Sequence, residues 1–281
     1  MRNIAIQEYL KSFLQEDDLG RNLIYDLKLP AEKVEAELRV KSDCILAGVP
    51  FFHEVFQILD TKIEFEKGHS PMDFEGKLVS TGTSFKFIAP FNTLLYAERV
   101  ALNLLTRLTS IATTTNEYVN KANNLNIKIL DTRKTTPGLR SFEKYASNLG
   151  GAYNHRLGTV DSFMIKDNHK KYFGGIKNAH EFVLSLKQNY TNVIYEIHSL
   201  KELGEAIQLD LKHLMLDNFT PEMIDKAVSL KSEGMTYELS GGINLENIHT
   251  YLKNGIDYIS LSKFITFPSP VDLSLKVIGK I

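Results

Sequence analysis

The sequence predicts an α/β protein in two parts: an α+β domain over about the first 108 residues, followed by a parallel sheet of repeated strand–helix units. Three observations carry that expectation. Short alternating runs broken by Gly, Ser and Asp fill residues 34–90. One nearly uninterrupted helical stretch follows. From residue 127 onward, apolar strands alternate with amphipathic helical segments.

In chain order, Ile6, Tyr9, Leu10, Phe13 and Leu14 stand at helical spacing, and Gly20 stands where a C-terminal cap belongs, so a helix comes first. "AELRV", "CILAGV", "KIEFEKG", "KLVSTG" and "SFKFIAP" then read as strands of a small antiparallel sheet. "FNTLLYAERVALNLLTRLTSIATTTNEYVNKANNL" has hardly a breaker and reads as one or two long helices. Beyond it, "IKILD", "SFMIK", "VIYEI", "HLMLD", "TYELS" and "DYISL" are six strands. Ala179, Phe182, Val183 and Leu186 mark the apolar face of one intervening helix; Ser199 with Glu202 suggests a capping box on the next, and Thr220 with Pro221 a capped start on a third. Near-continuous apolar strands joined by helices form a parallel sheet, open or closed into a barrel, and six strands do not make a complete eight-stranded one.

With 43% apolar and 24% charged residues, the 281-residue chain is long enough for one large or two modest cores. A formal net charge of -1 supplies no overall attraction for nucleic acid or an anionic membrane, so neither is expected as a partner. The single cysteine, Cys44, has no internal disulfide partner, the N-terminal stretch lacks a signal-peptide core, and no apolar run is long enough to span a bilayer. The expected location is cytoplasmic.

Ligands of parallel α/β sheets sit at the carboxyl ends of the strands. Here those ends read Asp131 then Arg133 and Lys134; Lys166 then Asp167; Glu196; Asp217 then Asn218; Ser240 then Gly241 and Gly242; and Ser260 then Ser262. Between Asp131 and Lys170, the cations Arg133, Lys134, Arg140, Lys144, Arg156, Lys166 and Lys170 outnumber the acids Asp131, Glu143, Asp161 and Asp167 by three. His155 and His169 add donors. A solvated face with weak surface pairs is the plain alternative. Against it, "GGAYNHRLGTVDSFMIKDNH" sets its cations among glycines and apolar residues, which points to a multiply anionic ligand. Glu196 and Asp217 facing such a ligand call for an intervening cation, and Mg²⁺ bridging to phosphate is the usual one, although Glu196 paired with a neighbouring lysine is the simpler reading. "SGGIN" at the start of an expected helix offers backbone N–H groups for phosphate, a weak signal by itself. With one cysteine and no HExxH or tight histidine pair, zinc is not expected.

The long motif "DTRKTTPGLRSFEKYASNLGGAYNHRLGTVDSFMIKDNH", with "AERVALNLLTRL", "LDN", "ELSGGIN" and "GIDYISL", resembles the nicotinate-nucleotide pyrophosphorylase family, also called quinolinate phosphoribosyltransferase, over most of the chain. The resemblance implies an N-terminal α/β sandwich joined to an incomplete seven-stranded α/β barrel. The division is then 1–108 for the sandwich, 109–268 for the barrel, and 269–281 for a segment returning to the N-terminal domain. It implies a decarboxylating glycosyltransferase of NAD biosynthesis. The enzyme converts quinolinate and phosphoribosyl pyrophosphate to nicotinate mononucleotide, pyrophosphate and CO₂, with Mg²⁺ and no organic cofactor. By resemblance Arg133, His155, Arg156 and Lys166 surround the quinolinate carboxylates and Lys134 lies between ring and ribosyl donor. Glu196 and Asp217 hold the ribose hydroxyls and Mg²⁺, and Ser240, Gly241 and Gly242 hold the phosphate. Arg99 reaches the partner's active site in a homodimer, with a hexamer of dimers as the larger assembly.

Several segments depart from the family pattern: "GRNLIYDL" for GD(I/L)T, "LTSIAT" for LSGIAT, and "SKFITFPS" for GALTHS, which places Ser262 where glycine is usual and Phe267 where histidine is. Ile194 replaces the first acid of EVEV. The rival readings are a molybdenum-associated paralogue with another substrate, disfavoured by His155, Arg156 and Lys166 together, and a catalytically silent nucleotide-binding homologue or scaffold, disfavoured by Lys134, Glu196 and Asp217.

Overall fold

A computed structural model describes residues 4–17, 19–21, 28–66, 68–122, 125–186 and 193–281. The chain divides into two units, Met1–Thr114 with Pro268–Ile281, and Thr115–Phe267. Asn22–Leu27, most of the "GRNLIYDL" departure, lie outside the described residues. No helix among the described residues is long and apolar enough to cross a membrane.

In the first unit, α1 (Ile4–Glu16) is the expected opening helix and buries Leu10 and Leu14 completely or nearly so. A four-stranded antiparallel sheet has the order β12-β1-β5-β3, from β1 (Lys33–Val40), β3 (Glu64–Phe65), β5 (Ser84–Pro90) and β12 (Leu273–Lys280). Alternation decides which side is core: Val34, Ala36, Leu38 and Val40 of β1 and Phe85, Phe87 and Ala89 of β5 are buried. The C-terminal strand β12 pairs along the whole of β1, broken by one bulge at Glu35/Ala36. A separate pair joins β2 (Cys44–Ile45) to β4 (Leu78–Val79).

One element differs from the sequence expectation. "CILAGV" is strand only at Cys44–Ile45, and a helix, α2 (Val49–Ile58), follows at once. Its signal was present in Pro50 near the first helical position, preceded by Gly48 at φ 104. Phe52, Val55 and Phe56 of α2 are fully buried, with Phe52 and Phe56 edge-on to Phe87 at 6.1 and 5.7 Å between ring centres.

The long stretch after β5 is one helix, α3 (Phe91–Ala122), 32 residues long, and it runs from the first unit into the second. Leu94, Ala97, Ala101, Leu105 and Leu108 form its buried stripe in the first unit. The "LTSIAT" departure has a local purpose there. Thr109 Oγ1 accepts from Ala47 N–H at 3.2 Å and donates to Ala47 O at 3.1 Å, while Ser110 Oγ accepts from Val271 N–H at 3.1 Å. These hydroxyls satisfy backbone groups that burial would otherwise leave unpaired.

The second unit holds six parallel strands in the order β6-β11-β10-β9-β8-β7: β6 (Lys128–Leu130), β7 (Phe163–Ile165), β8 (Val193–Ile197), β9 (His213–Asp217), β10 (Thr236–Ser240) and β11 (Tyr258–Ser260). All six are the expected ones. A seventh position beside β6 is reduced to a single parallel bridge, where Tyr153 exchanges backbone hydrogen bonds with Ile129 O and Asp131 N–H. The helices are α4 (Arg140–Leu149), α5 (Asp167–Phe173), α6 (Ile176–Ser185), α7 (Leu200–Gln208), α8 (Pro221–Ser229) and the short α9 (Lys263–Thr266).

Three local expectations are revised. On α6 the buried face is Ile176, Ala179 and Val183; Phe182 is more than a third exposed and stacks on Phe173 with 4.6 Å between centres. Ser199 caps α7, but Glu202 reaches one residue further back than a capping box requires, accepting from His198 N–H at 2.8 Å. After "SGGIN" there is only a single 3₁₀ turn, Ile248–Thr250, so no α-helix N-terminus stands behind those glycines. Thr220 caps α8 as expected, with Pro221 at its start.

Candidate active site

The loop after β6, "DTRKTTPGLR", begins with a fully buried carboxylate. Asp131 accepts from the buried Lys144 ammonium, from Ser147 Oγ and Asn154 Nδ2 at 3.1 Å each, and from His155 N–H at 2.8 Å. Lys144 Nζ also donates to His155 O at 2.9 Å. Burial pushes the Asp131 carboxyl up and the Lys144 ammonium down, and their mutual charge and hydrogen bonds oppose both shifts. The pair clamps the His155 backbone by its N–H and its C=O, and Asn154 by its side-chain amide.

The rest of the loop is tied down in the same way. Both carboxylate oxygens of buried Glu143 accept from Thr136, one from its N–H and one from its hydroxyl, at 2.8 Å each. Arg140 bonds Thr135 Oγ1 at 3.2 Å and Leu157 O at 3.0 Å. Between these anchors Thr132 Oγ1 accepts from Lys134 N–H at 3.0 Å, a side-chain turn that leaves Arg133 and Lys134 exposed.

The strand ends enclose a cavity of about 400 Å³ lined by Thr132, Arg133, Lys134, His155, Arg156, Met164, Lys166, Glu196, Met215, Asp217, Ser240 and Ser260. Met164 and Met215, packed with Ile194, form a buried apolar patch in its floor. Arg156 is held by Nη1 to Ser162 O at 2.7 Å; burial, with Arg133 nearby, holds its guanidinium below the ordinary value. Lys166 Nζ lies 3.2 Å from Glu196 Oε2, so the simpler pairing considered for Glu196 is present, with the lysine half exposed. On the acidic side, His198 Nε2 is 3.2 Å from Glu196 Oε1 and His198 Nδ1 is 3.6 Å from Asp217 Oδ2. Lys170 serves a different end: its Nζ donates to Glu196 O at 2.6 Å and pairs with Glu202 at 2.5 Å.

Of the residues expected at the site, Arg133, Lys134, His155, Arg156, Lys166, Glu196, Asp217 and Ser240 line this one cavity. Gly241 and Gly242 follow Ser240 with φ of 96° and 67°. A Cβ on Gly241 would stand 2.2 Å from Asn218 Oδ1 and 2.9 Å from its backbone nitrogen, so only glycine fits beside Asp217 and Asn218. Arg99 belongs to the first unit. It lies exposed on α3, 3.6 Å from Glu98, and lines a separate hollow with Arg107 and Leu273. Ser262, where glycine is usual, has φ −102°, an unstrained value for any residue, and Phe267 is 78% exposed.

Two residues escaped the sequence reading. Glu238, in the middle of β10, is fully buried and faces three donors: His155 Nε2 at 3.2 Å, His213 Nε2 at 3.0 Å and Ser260 Oγ. Burial pushes this carboxyl up, but the hydrogen bonds from His155, His213 and Ser260 outweigh it and hold the group at about 2. Since His155 Nδ1 accepts from Arg156 N–H at 2.8 Å, Glu238 fixes the proton on Nε2. The signal was legible: a glutamate inside an apolar parallel strand, "TYELS". His198, one residue past β8, is the second, and only its distances to Glu196 and Asp217 single it out.

Four cations and two carboxylates lining one cavity at the carboxyl ends of parallel strands suit one class, an α/β enzyme acting on anionic substrates. The sequence matches the quinolinate phosphoribosyl transferase N-terminal domain over residues 21–109 and the C-terminal domain of the same family over residues 111–276, and the chain belongs to that family. It is 36% identical over 279 residues to a probable nicotinate-nucleotide pyrophosphorylase (carboxylating) of Bacillus subtilis, covering 99% of this chain and 95% of that protein. It is 33% identical over 282 residues to the human nicotinate-nucleotide pyrophosphorylase (carboxylating), covering 99% and 93%. The crystal structure of NadC from Streptococcus pyogenes superposes with a TM-score of 0.91 at 32% identity, covering all of both chains.

Proposed function

We propose that the chain transfers the phosphoribosyl group of phosphoribosyl pyrophosphate to quinolinate, yielding nicotinate mononucleotide, pyrophosphate and CO₂ in NAD biosynthesis. The observation that carries this reading is the convergence of Arg133, Lys134, Arg156 and Lys166 opposite Glu196 and Asp217 in one cavity. Arg133, Arg156 and Lys166 supply forked and compact positive charge for the two ring carboxylates. His155, its ring nitrogens turned to Arg156 N–H and Glu238, holds the wall between them. The ring nitrogen attacks the anomeric carbon as the bond to pyrophosphate breaks, through a transition state with positive charge on the ribose. Glu196 and Asp217 face that charge and the ribose hydroxyls, and Lys134 faces the charge moving to the leaving group. Ser240, Gly241 and Gly242 offer backbone and hydroxyl groups to the 5′-phosphate. The positive charge of the quaternary ring nitrogen then stabilises the electron pair left on the adjacent ring carbon as CO₂ departs, that pair takes a proton in the carboxylate's place, and no organic cofactor is required.

Glu196 and Asp217 provide oxygen donors of the kind that hold Mg²⁺, whose chemistry when bound is to neutralise the pyrophosphate oxygens. With saturating Mg²⁺, quinolinate is expected to form nicotinate mononucleotide. Nicotinate leaves one set of cations without a partner, a loss of about 1–3 kcal/mol or more, so its kcat/KM should fall by roughly fivefold to more than a hundredfold. Comparable turnover of the two acids, followed by product chromatography, sinks this reading.

The reading extends to a homodimer, or an assembly of dimers, in which Arg99 completes the quinolinate site of the partner subunit. Its support is the family resemblance and the exposure of Arg99, 67% at its side chain. Mixing Arg99→Ala with Lys134→Ala subunits under exchanging conditions should restore activity, because about half the sites of each heterodimer regain both residues. If mass spectrometry shows exchange and activity stays at the level of the separate mutants, Arg99 acts within its own chain or not at all. The single, buried Cys44 agrees with a cytoplasmic location.

A further inference from the structure

We infer that His198 is a third metal ligand beside Glu196 and Asp217, giving this site a nitrogen donor and a preference for a transition-metal ion over Mg²⁺. The inference rests on the cation-dependent reaction proposed above and concerns which cation the chain selects. One ligand atom from each of Glu196, His198 and Asp217 lies within 4.8 Å of the others. The three come from the carboxyl ends of adjacent parallel strands: Glu196 is in β8, His198 lies just past it, and Asp217 ends β9. His198 N–H is tethered to Glu202 Oε2 at 2.8 Å, which fixes the backbone from which the imidazole projects.

Neighbouring side chains hold both carboxylates in place. Lys166 Nζ takes Glu196 Oε2, so Oε1 is the oxygen turned toward His198. Asn218 Nδ2 donates at 2.8 Å to Asp217 Oδ2, the oxygen that lies 3.6 Å from His198 Nδ1. Two oxygen donors and one imidazole are a mixed set. Mg²⁺ favours oxygen ligands and water, whereas an imidazole nitrogen adds affinity for borderline metals such as Co²⁺. A site made of Glu196 and Asp217 alone has no such nitrogen, so the selectivity resides in His198.

The test uses tag-free protein stripped of metal, with calorimetric titration of Co²⁺ and Mg²⁺ in the absence of substrate and Co²⁺ absorption in the visible as a second readout. Wild type should bind Co²⁺ at least roughly tenfold more tightly than Mg²⁺, with bands of nitrogen ligation; His198→Ala should weaken Co²⁺ by about 10–100-fold, shift those bands, and leave Mg²⁺ within about threefold. His249→Ala, which removes another exposed histidine, should change neither. Equal wild-type affinity for the two ions, unchanged Co²⁺ binding in His198→Ala, or a matching loss in His249→Ala overturns the inference. Quinolinate turnover at saturating Mg²⁺, measured in parallel on wild type, tests the reaction itself, so each reading fails by its own readout.

Discussion

Lys134→Ala should lower kcat for quinolinate by about 10²–10³-fold, the usual loss when a donor aimed at developing charge is removed. Lys134 stands in the exposed turn between Thr132 and Thr135, and the anchors of that loop, Thr136 on Glu143 and Arg140 on Leu157 O, do not involve its side chain. The loop should therefore keep its shape. Because its charge matters most as the bond to pyrophosphate breaks, binding of quinolinate should change little while kcat falls. Arg156→Ala gives the contrasting result, a raised KM with a smaller effect on kcat, since its guanidinium serves ground-state and transition-state carboxylates alike. Steady-state kinetics with calorimetry on both variants decides the matter, and the reverse pattern exchanges the two roles.

Glu238→Ala should destabilise the protein by about 3–5 kcal/mol, the range for breaking a buried, charged hydrogen-bonded group by removing one partner. The change leaves His155, His213 and Ser260 turned toward an empty buried site. The pH dependence has a definite sign. Glu238 has a folded-state value of about 2 against an ordinary 4.5, so its contribution to stability is present above 4.5 and is lost as pH falls from there through about 2. Urea unfolding at neutral pH and near pH 3 should show wild type losing stability on acidification more than Glu238→Gln, whose amide does not titrate. Parallel acid sensitivity in the two proteins, or wild-type stability in Glu238→Ala, contradicts the assignment.

The parallel strands were the most legible feature of the fold, for a physical reason. Strands covered on both faces are apolar throughout, so "IKILD", "HLMLD" and the others declare themselves as runs, and their polar ends declare the rim. Helix α2 was missed because Val49–Ile58 is an apolar run beside strands, where periodicity over so few residues does not separate helix from strand; Pro50 was the better guide. The seventh sheet position was illegible because it amounts to one residue, Tyr153, held by two backbone bonds to the β6 segment.

Charge pattern alone determined that positive groups gather after β6 and β7 and that Glu196 and Asp217 oppose them. Only the tertiary structure decided which charges face the cavity. Arg140, Lys144 and Lys170 are bound to Leu157 O, Asp131 and Glu202 and hold the scaffold, whereas Arg133, Lys134, Arg156 and Lys166 line the cavity. It also decided that Glu238 sets the His155 proton and that His198 meets two carboxylates from different strands. A sequence states the chemistry of each side chain, but a pairing depends on separations of a few ångströms between segments distant along the chain. Those separations exist only once the sheet has set its register and its strand ends side by side.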